Sequence, residues 1–172
     1  MKKRTLVLVL AVVLLFGAAI GGTYAWLNAK TQTIDNVFVV GEGIAITLTE
    51  TTDKYVVEPG ATIAKDPVVT VQSNGGGCWV FVKVESTLPE FVKYSIEKTW
   101  TAVPGYEGVY YIENAAETAY PVLQDNQVTV DSDVSDVSAA AQATLSFTAY
   151  AIQDDAATTA AEAWEAMLVE LA

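Results

Sequence analysis

The sequence has 172 residues, 52% of them apolar, with no histidine and a single cysteine, Cys78. It carries 9 Lys and Arg against 21 Asp and Glu, a net charge of −12, which fits one domain with a buried core and excludes a disordered chain. Without histidine the chain cannot build a Ser-His-Asp triad, a Cys-His dyad or an HExxH zinc helix, and one cysteine forms no internal disulfide.

The first 25 residues have the pattern of an export signal. Three basic residues at positions 2–4 precede an apolar run from Thr5 to Ile20, and small residues follow before Trp26. A charged start, an apolar core and a small-residue exit are typical of secretory signal peptides. The run is short for a membrane span, which needs about 20 apolar residues. We predict cleavage between Ala25 and Trp26, which leaves 172 − 25 = 147 residues; an uncleaved anchor is the alternative.

The charge of the remaining chain limits its partners. Removing the three basic residues at positions 2–4 from the nine leaves six against 21 acidic residues, a net charge of −15. A surface of this sign repels phosphate backbones and anionic lipid headgroups. We therefore expect no nucleic-acid partner, and membrane contact only through an uncleaved signal peptide.

Alternation of apolar and polar residues begins directly after the predicted cleavage region. It marks Thr33 to Val40 and then "GIAITLTE", where Ile44, Ile46 and Leu48 are predicted to face inward. Further strand patterns follow along the chain: "PVVTVQ", "CWVFVKVE", "FVKYSI", "KTWTAV", "GVYYIE", "NQVTV" and "ATLSFTAYAIQ".

Turn signals separate these strands, and only the end of the chain is helical. Pro59-Gly60, "SNGGG" and Pro104-Gly105 are turn sequences. Thr159 and Glu162 fit a capping box, and a single apolar helix face is predicted from Trp164, Met167, Leu168 and Leu171. About eight short strands without βαβ alternation predict an antiparallel β-sandwich with a short C-terminal helix, and no parallel sheet.

The order and spacing of several motifs resemble a known family. "GGTYAW" is similar to the signal-peptide exit that the SipW-type signal peptidase processes in Gram-positive bacteria. "AKTQTIDNVFVVGEGIAITLTE" resembles the start of TasA and camelysin (CalY)-type matrix proteins, and "EPGATIAKDPVVTVQSNGGGCWVFVKVE" resembles their "PG…KD" turn and following strands. "AYAIQ" and "AWEAM" are similar to a clostridial branch of the same group.

This resemblance implies a secreted, jelly-roll-like sandwich that forms extracellular fibres of the biofilm matrix. Its partners would be copies of itself and a SipW-type signal peptidase. Camelysin relatives are described as metalloproteases, but this chain lacks the histidines that usually bind catalytic zinc, so we predict no enzyme and no cofactor. The implied organisation is a signal peptide at 1–25, an N-terminal segment at 26–40 and a sandwich domain with its helix at 41–172.

The N-terminal segment is the candidate site. In TasA-like fibres this segment adds as a strand to the next subunit, and here the donor strand would comprise Thr33, Ile34, Val37, Phe38 and Val40. A free strand can pair with an exposed sheet edge, and a head-to-tail contact of this kind propagates into a filament. Alternatively, Thr33 to Val40 is the protein's own first strand, because both arrangements use the same pattern.

Three other features have competing interpretations. Asp131, Asp133 and Asp136 could bind Ca²⁺, but they do not match the EF-hand pattern, and we expect a solvated acidic loop. Cys78 is either a small buried hydrophobe or an exposed thiol that links subunits.

The aromatic residues of the strongest strand pattern also have two interpretations. Trp79 and Phe81 either lie under a second layer or form an exposed patch, and we expect them to be covered.

Two further function classes stay open. A monomeric secreted or cell-surface binding module, such as an adhesin or glycan binder, is the alternative to the fibre subunit. A glycosidase with two carboxylates is chemically possible without histidine, but no such pair stands out in the sequence.

Overall fold

The computed structural model describes residues 25–27, 37–40, 43–51, 55–73, 77–113, 115 and 118–171. The predicted signal peptide, apart from its last residue Ala25, lies outside the described residues, as do Thr33 and Ile34 of the predicted donor strand. Within the described part of the chain, no helix has the length and hydropathy needed to cross a membrane.

Thirteen strands and one α-helix occupy the described residues, together with three short 3-10 turns. The strands are β1 (Ala25–Leu27), β2 (Val37–Val40), β3 (Ile44–Thr49), β4 (Tyr55–Val57), β5 (Thr62–Ala64), β6 (Val68–Ser73), β7 (Cys78–Ser86), β8 (Val92–Lys93), β9 (Thr101–Ala102), β10 (Val109–Ile112), β11 (Thr118–Pro121), β12 (Gln127–Val130) and β13 (Leu145–Gln153). The helix, α1, spans Ala160–Glu170.

The strands form one five-stranded sheet, two three-stranded sheets and one two-stranded pair. Their orders are β2-β13-β7-β10-β9, β11-β6-β3, β5-β12-β8 and β1-β4. All pairs are antiparallel except β2 with β13, which is parallel. The expectation of no parallel pairing is therefore wrong at this one place. A parallel pair needs a long connection, and here almost the whole sandwich lies between the two strands in sequence.

Two hydrophobic clusters lie on opposite faces of the five-stranded sheet. The larger cluster joins the inner face of β7 and β13 to residues of both three-stranded sheets, such as Val69 and Val128. The smaller cluster lies on the outer face and is covered by α1, with Trp164 near the ring of Phe81 at a centroid distance of 5.4 Å. The described chain is thus an all-β, sandwich-like fold with one helix packed on the outside.

Strand β7 has the two-sided burial that its sequence predicts. Cys78 and Val80 belong to the inner cluster, whereas Trp79 and Phe81 belong to the outer one. The aromatic side chains of β7 are therefore covered by a second layer rather than exposed as a patch. The predicted alternation of β3 is also confirmed, since Ile46 and Leu48 are buried between exposed neighbours.

The capping box of α1 is confirmed, but the predicted apolar face is only half right. The Glu162 backbone N–H donates to Thr159 Oγ1 at 3.3 Å, and Trp164 and Met167 are buried. Leu168 and Leu171 are 44% and 39% exposed. Leu168 stands about 100° around the helix from Met167, at the border of the buried stripe. Leu171 follows the last helical residue.

Several strands differ from the predicted segments. In "FVKYSI" only Val92–Lys93 is a strand, and in "KTWTAV" only Thr101–Ala102 is one. Trp100 lies before the second strand, and its indole N–H donates to the Pro121 carbonyl oxygen at 2.8 Å. The strand count exceeds the predicted eight because β1, β4, β5 and β11 have only three or four residues each. Segments this short carry too few alternations to show a period of two.

Gly108 makes a close backbone contact that we expect to be essential for stability. It accepts the Val84 N–H at 2.8 Å, its φ is +72°, and an added Cβ would lie 2.6 Å from the Val84 carbonyl oxygen. Gly105 has a similar φ of +85°, but an added Cβ there meets nothing within 4 Å. We expect Gly105→Ala to lose about 1–2 kcal/mol of unfolding free energy from backbone strain alone.

We expect Gly108→Ala to lose about 1–3 kcal/mol more than Gly105→Ala, because the methyl group would push β10 away from β7. Denaturant unfolding of both variants measures the difference. Equal losses would show that the close approach to Val84 contributes nothing.

Candidate functional site

The N-terminal segment contacts the sandwich through β2. Val37, Phe38 and Val40 of the predicted donor strand lie in β2, and they pair in parallel with Ala149, Tyr150 and Ile152 of β13. This strand is the outermost member of the five-stranded sheet. The structure therefore brings three of the five predicted donor residues to a sheet edge. That they pair with another copy stays a prediction.

The predicted cleavage residues are placed in β1. Ala25 pairs with Val57, and Trp26 pairs with Val56, in the two-stranded sheet with β4. Val56 is 42% exposed, while its neighbours Tyr55 and Val57 are buried. The N-terminal segment thus pairs with two strands of the body, β4 and β13, and also lies against β3 and the 3-10 turn at Ser138–Gln142. Cleavage between Ala25 and Trp26 stays a prediction.

A buried polar cluster lies beside β13, and the sequence analysis did not find it. We name Glu50, Tyr55 and Lys65 the Lys65 cluster. Lys65 Nζ lies 2.7 Å from Glu50 Oε1, and the Tyr55 hydroxyl donates to the same carboxylate oxygen. The side chains of Lys65 and Glu50 are 4% and 6% exposed. The only signal in the sequence is the position of "KD" after the Pro-Gly turn. It does not indicate a buried site, because a lysine between strands is usually solvated.

Aromatic rings enclose the ammonium group of Lys65. Nζ lies 4.9 Å from the centroid of the Tyr55 ring and 5.4 Å from that of Phe147, which belongs to β13. Burial lowers the pKa of Lys65, while the hydrogen bond and charge of Glu50 and the charge of Asp66 act in the opposite direction. Such a cation is stable only while its carboxylate partner stays in place.

A neighbouring hydrogen-bond pair holds the chain next to the cluster. The Asp66 carboxylate accepts the Thr51 backbone N–H at 3.1 Å and the Thr51 hydroxyl at 2.7 Å. Burial raises the pKa of Asp66, but these hydrogen bonds and the charge of Lys65 outweigh it, and the net shift is downward. Together with the Lys65 cluster, this pair fastens the end of β3 to the connection between β5 and β6.

The acidic loop does not gather its three aspartates into a site. Asp131 binds Lys93, whose Nζ lies 2.7 Å from its carboxylate, and Asp136 accepts the Ser138 N–H at 2.8 Å. Among the residues that the structure describes, no group of three or more His, Cys, Asp or Glu is arranged to hold a metal ion.

Cys78 is buried, as the first of its two interpretations expected. It is 0% exposed, and its Sγ lies 3.7 Å from the Ala115 carbonyl oxygen. Burial, and to a smaller extent the charge of Asp154, raises the pKa of this thiol to about 11. A thiol in this position does not link subunits.

A shallow polar depression of about 160 Å³ lies at the far sheet, β5-β12-β8. Its lining residues are Lys93, Tyr94, Ser95, Gln124, Asp125, Gln127 and Thr129. Asp125 and Asn126 both have positive φ, 56° and 52°, in the tight turn before β12. The combination of amide, hydroxyl and one aromatic side chain suits a small polar ligand better than an apolar one.

The buried ion pair can be tested against an exposed one. We expect Glu50→Gln to lose about 3–5 kcal/mol of unfolding free energy, because it leaves the Lys65 cation buried without a carboxylate. Asp131→Asn breaks the exposed pair with Lys93 and should lose at most about 1 kcal/mol. Chemical denaturation of both variants measures the contrast, and similar losses would mean that burial does not govern the Lys65 cluster.

The pH dependence gives a second test. Because folding lowers the pKa of Lys65, the unfolded chain holds the extra proton between the folded and unfolded pKa values, and the free energy of unfolding rises with pH in that window. Removing Glu50 lowers the folded pKa further and widens the window. We therefore expect the stability of Glu50→Gln to rise more steeply above neutral pH than that of Asp131→Asn; parallel curves would contradict this assignment.

Comparisons of the chain with protein-family models, curated proteins and solved structures gave no significant match. The function must therefore be inferred from the residues, from the geometry of the two N-terminal contacts, and from the motifs of the sequence.

Proposed function

We propose that the chain is a structural subunit of extracellular fibres of the biofilm matrix, secreted with a signal peptide that a SipW-type signal peptidase removes. Its jelly-roll-like sandwich assembles with copies of itself by β-strand addition. The N-terminal segment, residues 26–40, of one copy supplies the strand. The resemblance to TasA and camelysin-type proteins motivates the proposal.

The observation that carries the proposal is the placement of β2. It is the single parallel strand in the described sheets, it lies at an edge, and no hairpin connects it to β13. In the chain it is joined to β3 by only three residues, 41–43. A strand with these properties can be supplied by a neighbour without any change in the order of the remaining strands.

The body that remains without the segment keeps its main contacts. β13 still pairs with β7 over nine consecutive residues, from Leu145–Ser86 to Gln153–Cys78. The inner cluster joins β7 and β13 to the three-stranded sheets, and the outer cluster joins β7 to α1. Exchange of the segment is therefore compatible with a folded subunit on each side of the contact.

The charge of the chain favours a specific contact over general aggregation. The predicted mature chain has a net charge of −15, from 6 basic and 21 acidic residues. Like charges at this density oppose random association and keep subunits soluble. Backbone hydrogen bonds at a matching sheet edge provide attraction at one place only.

We expect deletion of Trp26 to Val40, with the signal peptide retained, to give a soluble, folded subunit that does not polymerise. Electron microscopy and size-exclusion chromatography of the secreted protein measure this. Val169→Asp is the matched control, because it removes the most exposed large hydrophobic side chain of the helix, 76% exposed, and should leave fibres unchanged. Undiminished fibres from the truncated chain would refute strand donation.

A monomeric binding module is the second candidate, and the polar depression beside Tyr94 favours it. Aromatic faces combined with amide and hydroxyl groups are suited to polar ligands such as glycans. Secreted wild-type protein that stays monomeric at every concentration would favour this candidate over the fibre.

A further inference from the structure

The Lys65 cluster places a primary amine against a carboxyl group in a site from which water is largely excluded. Lys65 Nζ lies 2.7 Å from Glu50 Oε1, and the two side chains are 4% and 6% exposed. The carboxyl carbon is one bond of about 1.2 Å beyond that oxygen, so Nζ lies no farther than about 3.9 Å from it. Atoms in a near-attack arrangement are about 3–3.5 Å apart. The amine and the carbon are therefore close to the separation from which an amide bond forms.

Burial favours the uncharged forms of both groups. It lowers the pKa of Lys65, although the hydrogen bond and charge of Glu50 and the charge of Asp66 act in the opposite direction. A proton that moves from Nζ to the Glu50 carboxylate along their hydrogen bond leaves a neutral amine, the nucleophilic form of lysine, beside a neutral acid. This step removes two charges from a place where each is costly to keep.

The Tyr55 hydroxyl is placed to assist an attack on the carboxyl carbon. It donates to Glu50 Oε1, the oxygen on which negative charge develops when an amine adds to that carbon. A donor that is already directed at developing charge is most effective in a site without water. The rings of Tyr55 and Phe147 lie beside Nζ, with centroids 4.9 and 5.4 Å away, and they shield the product from hydrolysis.

We propose that Lys65 and Glu50 condense to an isopeptide bond, a side-chain amide between Nζ and the Glu50 carboxyl carbon. The C–N bond forms as the amine lone pair adds to the carbon, and one C–O bond of the carboxyl group then breaks. The departing oxygen leaves as water with two of the three ammonium protons, and the third proton stays on the amide nitrogen. Ammonium and carboxylate thus become a neutral amide and one water, without an oxidant or any other reactant. The ion pair described above is the state before condensation.

The bond would connect two sheets of the sandwich covalently. Glu50 follows β3 and Lys65 follows β5, and these strands belong to different three-stranded sheets. The amide would close a loop over residues 50–65, and a cross-link of this kind restricts the unfolded chain as a disulfide does. The single cysteine of the chain forms no such link. The inference is independent of fibre assembly, because the bond lies within one chain.

A second lysine–carboxylate contact provides an internal comparison. Lys93 Nζ lies 2.7 Å from Asp131 Oδ1, the same distance as in the buried pair, but these side chains are 60% and 35% exposed. Water solvates both charges there and favours the ionised forms. Proximity is therefore common to the two pairs, whereas burial distinguishes them. We expect Lys93 to keep its ammonium group.

Peptide mapping of the purified wild-type protein tests the bond. Trypsin cleaves after an unmodified lysine but not after one whose amine is acylated. We expect cleavage after Lys93 but not after Lys65, and a branched product that joins residues 31–54 to residues 55–83 and is about 18 Da lighter than the two peptides together. Complete cleavage after Lys65, or a loss of this mass located elsewhere in the chain, would overturn the bond.

Lys65→Arg is the control for the amine. It keeps a cation at this position but has no primary amine, and arginine stays charged in proteins. We expect this variant to give no branched product, and trypsin to cleave at the substituted position. A branched product that persists in this variant would show that another lysine forms it, and would overturn the assignment to Lys65.

The role of Tyr55 is tested by Tyr55→Phe, which keeps the ring and removes the hydroxyl. Tyr106→Phe is the matched control, because the Tyr106 hydroxyl also donates to a glutamate, Glu165 Oε1 at 2.8 Å, on the other face of the five-stranded sheet. We expect the bond to form about 100-fold more slowly in Tyr55→Phe, as for loss of one oxyanion donor. The control should match the wild type.

The amount of branched peptide, followed over time after purification, measures these rates, and circular dichroism confirms that both variants are folded. Equal rates in the two variants would overturn the catalytic role of Tyr55. The wild-type peptide map alone decides whether the bond exists, so the proposal stays testable if either variant fails to fold.

Discussion

The pairing of β7 with β13 is the contact on which the rest of the fold depends. Nine consecutive residue pairs join the two strands, and both faces of β7 are buried. A strand of this kind needs a covering layer on each side. The two three-stranded sheets cover the inner face, and α1 covers the outer face through Trp164. The order of layers follows from this one strand.

The same pairing places β2 at one end of the five-stranded sheet. With β7 on one side of β13, one edge of β13 is left, and within the described residues β2 pairs with positions 149–152 of that edge. Edges of long central strands are usually protected by charge, by bulges or by a covering element. The Lys65 cluster lies next to Phe147 of β13. The most buried ion pair among the described residues therefore lies beside the central strand pair.

The parts of the fold that the sequence predicts are those with long, regular patterns. β3, β7 and β13 have six to nine residues each, enough to show a period of two, and Thr159 and Glu162 mark the helix start. β4 and β5 have three residues each and were missed, because their burial depends on partners far away in sequence. The parallel direction of β2 could not be foreseen, because a single edge strand carries no signal for direction.

The candidate site was predictable to the same degree. Alternation marks the N-terminal segment as a strand, and β2 lies at a sheet edge; that the segment is a donor strand stays a prediction. The Lys65 cluster was not predictable, because Glu50 and Lys65 are 15 residues apart and neither has an unusual neighbour in sequence. β4, the turn at Pro59-Gly60 and β5 lie between them, and the contact forms only in the folded chain.

The proposed assembly would depend on noncovalent contacts rather than on disulfides. Cys78 is buried and unreactive, so no covalent bond between subunits is available from cysteine. Among the described residues, β2 pairs with four residues of β13, and each pair contributes to the backbone ladder. Under the proposed function, a strand supplied by a neighbour would therefore join two subunits through backbone hydrogen bonds at a sheet edge.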